Sequence, residues 1–459
     1  MKAETPASDP ELLEKGALQI VRRLTAAGHR ALWAGGFVRD RILGRPPKDI
    51  DIATSAPPDR IEELFPNSLD IGKAFGVMVV LQDGRPYEVA TFRRDEGIAD
   101  GRHPVSIAFS DEREDARRRD FTVNALFFDP ISREILDYVD GRTDLEQKTI
   151  RAVGDPVLRF REDRLRMLRA VRFASTLEFE IEAETKAAIR DQAAEIGRVS
   201  VERIFTELTR LWTESPRAGQ GLLLLRETGL LDVLLPEAVA LAGVEQPPQF
   251  HPEGDVFTHT ALMLDALPES PDPVLAWSVL LHDIGKPLTA EWAAGAEGPP
   301  RWRFNEHDRV GAEMAVAILR RFKAPLRIIE GVEHCVRNHM RFGSATHMRE
   351  STLRRLVGHP LFAQELDLHR IDCECSHGQF DQLDFLRQTL DRLKAEPVLP
   401  EPLIRGQDLL ALGLPEGPEI GRLLRKAYDR QLENPDLTRE TLLEWISRGE
   451  EPGVGGVEG

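Results

Sequence analysis

Two aspartates in an apolar segment are the residues whose type and spacing point most directly to chemistry. Asp49 and Asp51 flank Ile50 in the sequence KDIDIAT. Residues two apart on a β-strand point to the same face of the sheet, so both carboxylates would face one site. Such a pair can hold two magnesium ions about 4 Å apart, which stabilises the attacking and leaving oxygens of a phosphoryl transfer. The spacing therefore predicts the metal ligands of a nucleotide reaction.

A glycine pair lies upstream of the aspartates. Gly35 and Gly36 follow a short apolar strand and precede a helical pattern that contains Arg39. Backbone amides at such a turn, together with the N-terminus of a helix, are suited to bind phosphate groups. The order strand, glycine turn, helix, acidic strand thus predicts a site for a nucleoside triphosphate and a metal. The alternative is that Asp49 and Asp51 only cap a strand and that the glycines form an ordinary turn.

The sequences GGFVRD and KDIDIAT resemble the head-domain signature of the class II tRNA nucleotidyltransferases and the related bacterial poly(A) polymerases, members of the polymerase-β-like superfamily. The resemblance implies that Glu88, on a predicted strand, completes the metal site and takes the hydroxyl proton. It also implies that Arg119, in the motif RRDFTVNA, contacts the triphosphate or sugar, with Asp120 and Asn124 framing the site. The alternatives are an exposed strand glutamate and a helix with a solvated basic start.

Residues 159–175 predict a helix with one buried and one basic face. Asp163, Arg166 and Arg169 recur every three residues and would share a face. Cytosine and adenine each present an amine donor beside a ring-nitrogen acceptor, so Asp163 could accept from the amine while Arg166 donates to the ring nitrogen; uracil and guanine would be rejected. The spacing also resembles the EDxxR motif of class II enzymes, beginning at Glu162. The alternative is a set of ion pairs on a solvated helix.

Histidines and aspartates in the second half of the chain resemble the HD metal-dependent phosphohydrolases. The metal ligands that this resemblance implies are His259, His282, Asp283 and Asp372. Members with two metals add ligands at the positions of His307 and His339. Imidazole and carboxylate ligands suit Mg, Mn, Ni or Zn, so the resemblance implies a divalent metal. A lone His-Asp pair is more often structural, and His251, His334 and His377 are left without a role.

The composition is that of a soluble multidomain protein. The chain has 459 residues, of which 41% are hydrophobic and 30% charged. Three cysteines are too few for a disulfide framework. The sequence has no apolar run of about 18 residues, so neither a membrane span nor a secretory signal is predicted. We therefore expect a cytoplasmic protein without a membrane partner. The net charge of −17 argues against broad adhesion to nucleic acid. Residues 151–172 are an exception: seven arginines against three carboxylates give +4, so nucleic acid is expected along this segment.

The predicted fold class is α+β, a small mixed-sheet head of polymerase-β-like type followed by mostly α-helical domains. The predicted domains are a catalytic head (1–150), a helical neck (151–240), an HD domain (241–396) and a helical tail with a disordered C-terminus (397–459). Within the head we expect strands at 71–81, 86–93 and 135–141 and a long loop at 94–114. In the resembled family a flexible loop at this position supports the change from C to A addition, which disfavours an enzyme that adds only C.

The resulting hypothesis is template-independent addition of CCA to the 3′ end of tRNA from CTP and ATP, with Mg²⁺ in the head and a phosphohydrolase activity in the HD domain. Three alternatives remain open. The enzyme could add only the terminal A, or it could be a poly(A) polymerase. The chain could also be chiefly an HD hydrolase whose head binds RNA. The oligomeric state is not predicted.

Overall fold

The computed structural model describes residues 10–98, 104–249, 251–293, 300–376, 378–393 and 397–448. The predicted disordered end, 450–459, lies outside the described residues, as does His377. The chain forms two compact units. The first comprises Met1–Ala242, Leu264–Pro273 and Ile318–Ala324, and the second comprises Gly243–Met263, Val274–Ala317 and Pro325–Gly459. The four predicted domains are a finer division and remain a prediction. Among the described residues, no helix is long and apolar enough to cross a membrane.

The first unit is built around a mixed sheet. Its strands are β1 (Ala31–Ala34), β2 (Asp51–Thr54), β3 (Ser68–Gly72), β4 (Val77–Gln82), β5 (Arg85–Thr91), β6 (Arg93–Ile98), β7 (Pro104–Phe109), β8 (Phe127–Asp129), β9 (Glu134–Leu136), β10 (Thr149–Ile150) and β11 (Glu180–Ile181). Seven of them form one sheet in the order β3-β4-β5-β2-β1-β8-β9. Strands β2 and β5 run parallel, and the other neighbours in this sheet are antiparallel. The predicted mixed sheet of the head is therefore confirmed.

Helices cover the sheet and make up the rest of the first unit. They are α1 (Pro10–Ala26), α2 (Gly36–Ile42), α3 (Pro58–Leu64), α4 (Glu112–Arg117), α5 (Gly141–Glu146), α6 (Pro156–Glu162), α7 (Leu165–Leu177), α8 (Ala183–Gln192), α9 (Val201–Glu214), α10 (Ala218–Glu227), α11 (Leu230–Leu234) and α12 (Pro236–Val239). Helix α1 buries Leu13, Ile20 and Leu24, which recur at helical spacing. The Tyr87 hydroxyl donates to the Leu13 carbonyl oxygen at 3.0 Å, and a Cβ at Gly16 would approach that hydroxyl to 2.3 Å. Glycine therefore permits the close approach of α1 to β5.

The predicted loop at 94–114 is wrong over most of its length. Strands β6 and β7 pair antiparallel, with Arg93 opposite Phe109, and α4 begins directly after Asp111. The Asp111 side chain accepts the backbone N–H groups of Arg113 and Glu114, which fixes the start of α4. A two-stranded ribbon is held by its own backbone hydrogen bonds and need not show the alternation of a half-buried strand. Residues 99–103 lie outside the described residues.

Two predicted strands in the head are shorter than expected. The predicted strand 71–81 is interrupted, because β3 ends at Gly72 and a 3₁₀ turn, Lys73–Phe75, precedes β4. The predicted strand 135–141 ends at Leu136. Beyond it the Asp137 carboxylate accepts N–H groups of Val139, Gly141 and Arg142, which turns the chain into α5. The contacts of the Asp137 side chain thus end this strand, and the pattern of apolar residues does not reveal such contacts.

The later part of the chain is almost entirely helical. Its elements are α13 (Val256–Asp265), α14 (Pro273–Leu281), α15 (Lys286–Thr289), β12 (Ala290–Ala293), β13 (Arg301–Phe304), α16 (His307–Arg321), α17 (Leu326–Asn338), α18 (Glu350–Val357), α19 (Phe362–Cys375), α20 (Asp381–Leu393), α21 (Gly406–Ala411), α22 (Pro418–Glu433) and α23 (Arg439–Ser447). Helix α14 is buried along its length from Val274 to Leu281, so its end carries the following residues into the interior. Helices α21, α22 and α23 form the predicted helical tail, and α21 and α22 begin at Gly406 and Pro418.

Candidate functional sites

A cavity of about 1070 Å³ opens in the first unit at the edge where β1, β2 and β5 meet. Every residue predicted for the head and for base selection lines it. These residues are Gly35, Gly36, Arg39, Asp49, Asp51, Glu88, Arg119, Asp120, Asn124, Asp163, Arg166 and Arg169. The fold therefore brings residues that are distant in sequence into one site large enough for a nucleotide.

Three carboxylates lie together in this cavity. The register of β1 and β2 pairs Ala34 with Asp51, and that of β2 and β5 pairs Ile52 with Val89, so Glu88 lies beside Asp51. Strand β2 begins at Asp51, so Asp49 precedes the strand, and the prediction that both aspartates lie on the strand is wrong for Asp49. Asp49 nevertheless lines the same cavity.

The electrostatics of the three carboxylates favour a bound cation. Desolvation within the cavity raises the pKa of Asp51 to about 6, and the charges of Glu88 and Asp49 add to the rise, opposed by Arg119. Desolvation and the charge of Asp49 also raise the pKa of Glu88. Carboxylate oxygens are the ligands that Mg²⁺ prefers, and a divalent cation would relieve this repulsion. The donor set therefore fits a divalent metal.

The glycine turn lies directly beside the carboxylates. Gly35 has φ +67°, a conformation that glycine adopts without strain, and a Cβ there would lie 3.0 Å from Arg119 Nη1. Arg39 donates through Nη1 to Asn124 Oδ1 at 2.7 Å and through Nε to Asp40 Oδ1 at 2.8 Å. The turn thus allows two guanidinium groups to approach the place next to Asp51 where phosphates would bind.

Asp115 is a residue of this site that the sequence analysis missed. It is 1% exposed, and its Oδ2 accepts from Arg119 Nε at 3.3 Å and from Nη2 at 3.1 Å, while Oδ1 pairs with Arg118 Nη2 at 2.7 Å. Burial opposes ionisation of Asp115, but the charges of Arg119 and Arg118 outweigh it and lower the pKa. Its spacing of four residues from Arg119 on a helical segment was the available signal. Asp115 therefore holds Arg119 in place toward Asp51.

Asp120 also holds an arginine. Its Oδ2 accepts from Arg169 Nε at 2.9 Å and from Nη2 at 2.6 Å, and its Oδ1 accepts from Asn124 Nδ2 at 3.3 Å. Burial opposes ionisation, but the charge of Arg169 outweighs it, and the pKa of Asp120 falls to about 2. Asp120 is therefore ionised and links Arg169 to Asn124 within the cavity wall.

The predicted continuous helix at 159–175 is wrong at Asp163. Helix α6 ends at Glu162, and Asp163 adopts an extended conformation with φ −144° before α7 begins. Its Oδ1 accepts the N–H of Leu165 at 3.1 Å, so the side chain caps α7. Its Oδ2 accepts from Arg203 Nη2 at 2.7 Å. Asp163 thus does not share a helix face with the arginines that follow, although it lines the same cavity.

Arg166 is held on three sides. It donates through Nη1 to Glu162 Oε2 at 2.7 Å and to the Arg159 carbonyl at 3.2 Å, and through Nη2 to the Arg118 carbonyl at 3.0 Å. Among the described residues these contacts leave its Nε–H and one Nη2–H for a ligand. Each oxygen of Asp163 likewise keeps an acceptor position.

The basic segment 151–172 is not an open basic surface. Most of its arginines pair with carboxylates, several of which come from other elements: Arg151 with Asp144, Arg159 and Arg166 with Glu162, Arg164 with Glu195, Arg169 with Asp120, and Arg172 with Glu207. Arg172 is only 2% exposed. The local excess of +4 is therefore largely offset by ion pairs, and the expectation that nucleic acid lies along this segment stays a prediction.

The second unit gathers the residues predicted for the HD site. Two groups of candidate metal ligands share Asp283: the first contains His259 and His282, and the second contains His307 and His339. His307 Nε2 lies 3.1 Å from His339 Nε2 and 3.5 Å from Asp283 Oδ1. His259 Nε2 lies 3.2 Å from Oδ1 of the sixth predicted residue, Asp372. A carboxylate between two histidine pairs is the donor arrangement of a two-metal site.

Backbone carbonyls orient three of these imidazoles. The Nδ1 atoms of His282, His307 and His339 lie 2.9, 2.7 and 2.6 Å from the carbonyl oxygens three residues earlier. This contact assigns the proton to Nδ1 and leaves Nε2 as the metal-binding atom. Burial and the neighbouring His282 lower the pKa of His339 to about 4, so this imidazole is neutral at pH 7, as a metal ligand must be.

His259 shows most directly that the residues fit a metal. It is fully buried, and neither of its ring nitrogens makes a well-directed hydrogen bond among the described residues, although Glu253 Oε1 lies 2.6 Å from Nδ1. Burial opposes protonation, but the carboxylates of Asp372 and Glu253 outweigh it and raise the pKa of His259 to about 9. A divalent cation at Nε2 would replace the proton between His259 and Asp372.

Glu253 was also missed by the sequence analysis, because nothing in its local sequence marks it. We predict that Glu253 orients His259 by accepting from Nδ1. Glu253→Ala is expected to weaken divalent-metal binding about 10- to 100-fold, the usual cost of losing such a partner. Metal content after dialysis against graded chelator measures this, with Glu330→Ala, an exposed glutamate of the same unit, as control. Equal metal retention in both variants would contradict the orienting role.

Two of the histidines left without a role have definite neighbours. His251 Nδ1 lies 2.9 Å from Glu253 Oε1, next to His259. His334 stacks on His359 with ring centroids 3.9 Å apart and planes within 3°, and its Nε2 lies 3.0 Å from Glu365 Oε1. A metal ion binds a histidine nitrogen in the plane of its ring, and two parallel stacked rings cannot both have the same ion in their planes. His334, His359 and Glu365 in this arrangement therefore do not form a metal site.

Comparison with known proteins likewise separates a nucleotide-binding part in the first half of the chain from an HD part in the second half. Three family models match: the "Poly A polymerase head domain" over residues 31–151, the "Probable RNA and SrmB- binding site of polymerase A" over 178–241, and the "HD domain" over 255–374. The CCA-adding enzyme of Geobacillus thermodenitrificans is 46% identical over 215 residues, which cover 47% of this chain and 53% of that protein. The CCA-adding enzyme of Bacillus pumilus is 47% identical over 196 residues, covering 42% and 49%. The chain thus spans about half the length of the curated relatives it matches.

Solved structures show likeness over nearly the whole chain. The crystal structure of the Bacillus stearothermophilus CCA-adding enzyme in complex with CTP matches with a TM-score of 0.74 and 28% identity, covering 96% of this chain and 98% of that one. The Thermotoga maritima CCA-adding enzyme complexed with tRNA matches with a TM-score of 0.58 and 20% identity, covering 97% of each chain. The latter likeness concerns the fold alone.

Proposed function

We propose that this chain, which matches models of a poly(A) polymerase head, its RNA-binding region and an HD domain and is similar to CCA-adding enzymes, adds CCA to the 3′ end of tRNA from CTP and ATP. The observation that carries this proposal is the cavity in which Asp49, Asp51 and Glu88 face the guanidinium groups of Arg39 and Arg119. Carboxylates on one side and cations on the other are what a metal–triphosphate complex requires.

In this proposal the three carboxylates would hold divalent cations, expected to be Mg²⁺, and these would supply positive charge to the reacting α-phosphate. Arg119, fixed by Asp115, and Arg39, fixed by Asn124, bind the triphosphate beside the turn at Gly35. Glu88, on β5 beside Asp51, is placed to accept the proton of the tRNA 3′-hydroxyl as it attacks. The chain's own contribution is thus to hold both substrates in line.

Base selection is assigned to Asp163 and Arg166. Both are fixed by neighbouring groups before a nucleotide binds, and each keeps hydrogen-bonding capacity. Asp163 can accept from an amine, and Arg166 can donate to a ring nitrogen. Cytosine and adenine offer this pair, and uracil and guanine offer the reverse. One rigid pair can therefore select both nucleotides without a template strand.

Exchanging Asp163 tests this selection. Asp163→Ala is expected to slow addition and to lower the discrimination against UTP and GTP at least about tenfold. Without this carboxylate, a wrong base no longer leaves a buried hydrogen-bonding group of the site unpaired. Asp163→Asn retains a helix cap for α7 but lacks the carboxylate. This variant therefore distinguishes the effect of a lost cap from the effect of lost base selection. Arg161→Ala, an exposed arginine of the same segment, is the control. An Asp163→Ala enzyme that slows but rejects UTP and GTP as strictly as the parent would show that another group reads the base.

The second unit is proposed to be a divalent-metal-dependent phosphohydrolase. The two candidate ligand groups that share Asp283 support this assignment, and Mg, Mn, Ni or Zn would suit their imidazole and carboxylate donors. The proposed substrates are 2′,3′-cyclic phosphates or phosphomonoesters. The predicted division into head, neck, HD domain and tail is part of the same proposal.

The proposed transferase activity is tested by incubating the protein and Mg²⁺ with tRNA that lacks CCA and with one labelled nucleoside triphosphate at a time. Label from CTP should enter alone, and label from ATP should enter only when CTP is also present. Incorporation of A restricted to tRNA that already ends in CC would instead indicate an A-adding enzyme. Long A tracts on unrelated RNA would indicate a poly(A) polymerase.

A further inference from the structure

Two tryptophans lie opposite each other on the hairpin formed by β12 and β13, which connects the HD pair to His307 in the sequence. Trp292 pairs with Trp302 across the strands, with ring centroids 5.3 Å apart and planes at 72°. Trp292 is 59% exposed. Trp302 is partly buried, and its indole N–H donates to Glu245 Oε2 at 3.3 Å. The hairpin therefore presents a large aromatic surface, and one of its two rings is open to solvent.

The face that carries this pair continues into the HD site. Trp302 and Phe304 are two residues apart on β13 and so point to the same face. Lys286 Nζ lies 5.3 Å from the Phe304 ring centroid and 2.6 Å from Asp283 Oδ2. The Phe304 carbonyl oxygen lies 2.7 Å from His307 Nδ1. Phe304 thus joins the tryptophan pair to the candidate metal ligands.

Phe304 relates the tryptophan pair to the candidate metal ligands. Ala290 pairs with Phe304, and the next pair on the same face is Trp292 with Trp302. Two residues of a strand span about 7 Å, so the tryptophan pair lies about 7 Å along the hairpin from Phe304, whose carbonyl oxygen contacts His307. The aromatic face of the hairpin is therefore available to a group attached to a phosphoester at these ligands.

We propose that Trp292 and Trp302 form a stacking surface for the base of a nucleotide phosphoester whose phosphate lies at the HD site. The inference rests on the proposed hydrolase function and narrows its substrates to phosphoesters that carry a base. Aromatic side chains bind bases through their ring faces with little sequence preference, so adenine and cytosine are both suitable. The alternative for such a pair is to stabilise the hairpin alone, as cross-strand aromatic pairs do.

Two cyclic phosphoesters that differ only in the base separate these possibilities. The wild-type protein with Mn²⁺ is compared with Trp292→Ala and Trp292→Phe on 2′,3′-cyclic AMP and on glycerol 1,2-cyclic phosphate, which has no base. Trp292→Ala is expected to raise the KM for 2′,3′-cyclic AMP about tenfold at similar kcat and to leave the glycerol compound unaffected. Trp292→Phe should retain most of the affinity. Leu326→Ala, which removes another exposed apolar side chain of the second unit, is the control.

Equal effects of Trp292→Ala on both compounds, or no effect on 2′,3′-cyclic AMP, would overturn the stacking surface. If the wild-type protein hydrolyses neither compound, the hydrolase proposal fails, and binding then decides the inference. Equilibrium dialysis with labelled adenosine 2′-phosphate and Mn²⁺ should show binding, in addition to any at the first unit, that Trp292→Ala loses and Leu326→Ala keeps. The nucleotide site of the first unit is identical in both variants, so unchanged binding would also reject the surface.

Discussion

Asp51→Ala should abolish the addition of C and of A alike, to below about 1% of the parent rate, because both reactions use the same cation site. Asp51 lies at the start of β2, between the turn at Gly35 and the neighbouring Glu88 on β5. Labelled CTP and ATP with the matching tRNA ends measure the two activities separately. Asp191→Ala, an exposed carboxylate of the same unit, should leave both rates unchanged.

Thermal unfolding provides a readout for this variant that is independent of activity. Asp51 is exposed to solvent in the open cavity, and its pKa is raised to about 6 in the folded protein. Its ionised form therefore destabilises the fold only modestly at neutral pH, and stability is lost as the pH rises toward 6. Without divalent metal, Asp51→Ala should therefore unfold at the same temperature as the parent or a higher one. Added Mg²⁺ should raise the Tm of the parent more than that of the variant. Either activity retained in a folded variant, or an equal Mg²⁺ effect on both proteins, would contradict the metal assignment.

Removal of the HD ligands should eliminate phosphoester hydrolysis and spare CCA addition. Asp283 is buried and its Oδ2 lies 2.6 Å from Lys286 Nζ, so an alanine at this position would strand a buried charge at a cost of about 3–5 kcal/mol. Asp283→Asn combined with His282→Ala avoids much of that cost while removing two ligands. Metal content, hydrolysis of 2′,3′-cyclic phosphates and CCA addition are measured on the same preparation.

The expected result is loss of bound metal and of hydrolysis with CCA addition within about twofold of the parent, since the two ligand sets lie in separate compact units. Unchanged circular dichroism serves as the control for folding. A drop in CCA addition of more than about tenfold in a folded variant would contradict the independence of the two activities.

Local patterns were sufficient to predict the parts of the head that meet at the cavity. The glycine turn at Gly35 depends on interactions between residues near in sequence, so the chain itself reveals it. The resemblance in motif order supplied Glu88 and Arg119, which spacing alone could not have joined to Asp51. All of these residues line one cavity, although their roles there remain a proposal.

The features that were missed depend on side-chain contacts that the local sequence pattern does not reveal. Asp163 interrupts a convincing helical pattern because it caps α7 and binds Arg203, forty residues away. Asp115 and Glu253 are single acidic residues whose importance comes from the arginine or histidine that the fold brings beside them. A carboxylate that pairs in three dimensions looks the same in sequence as one on the surface, so such partners appear only in the structure.

Stepwise addition to three tRNAs tests the proposed CCA synthesis most directly. The substrates are tRNA that lacks all of CCA, tRNA that ends after the first C and tRNA that ends after the second C, each incubated with CTP, ATP and Mg²⁺. We predict that all three are extended to the same product, which ends in CCA and grows no further. Extension of only the third substrate, or continued addition of A beyond the CCA end, would contradict the assignment.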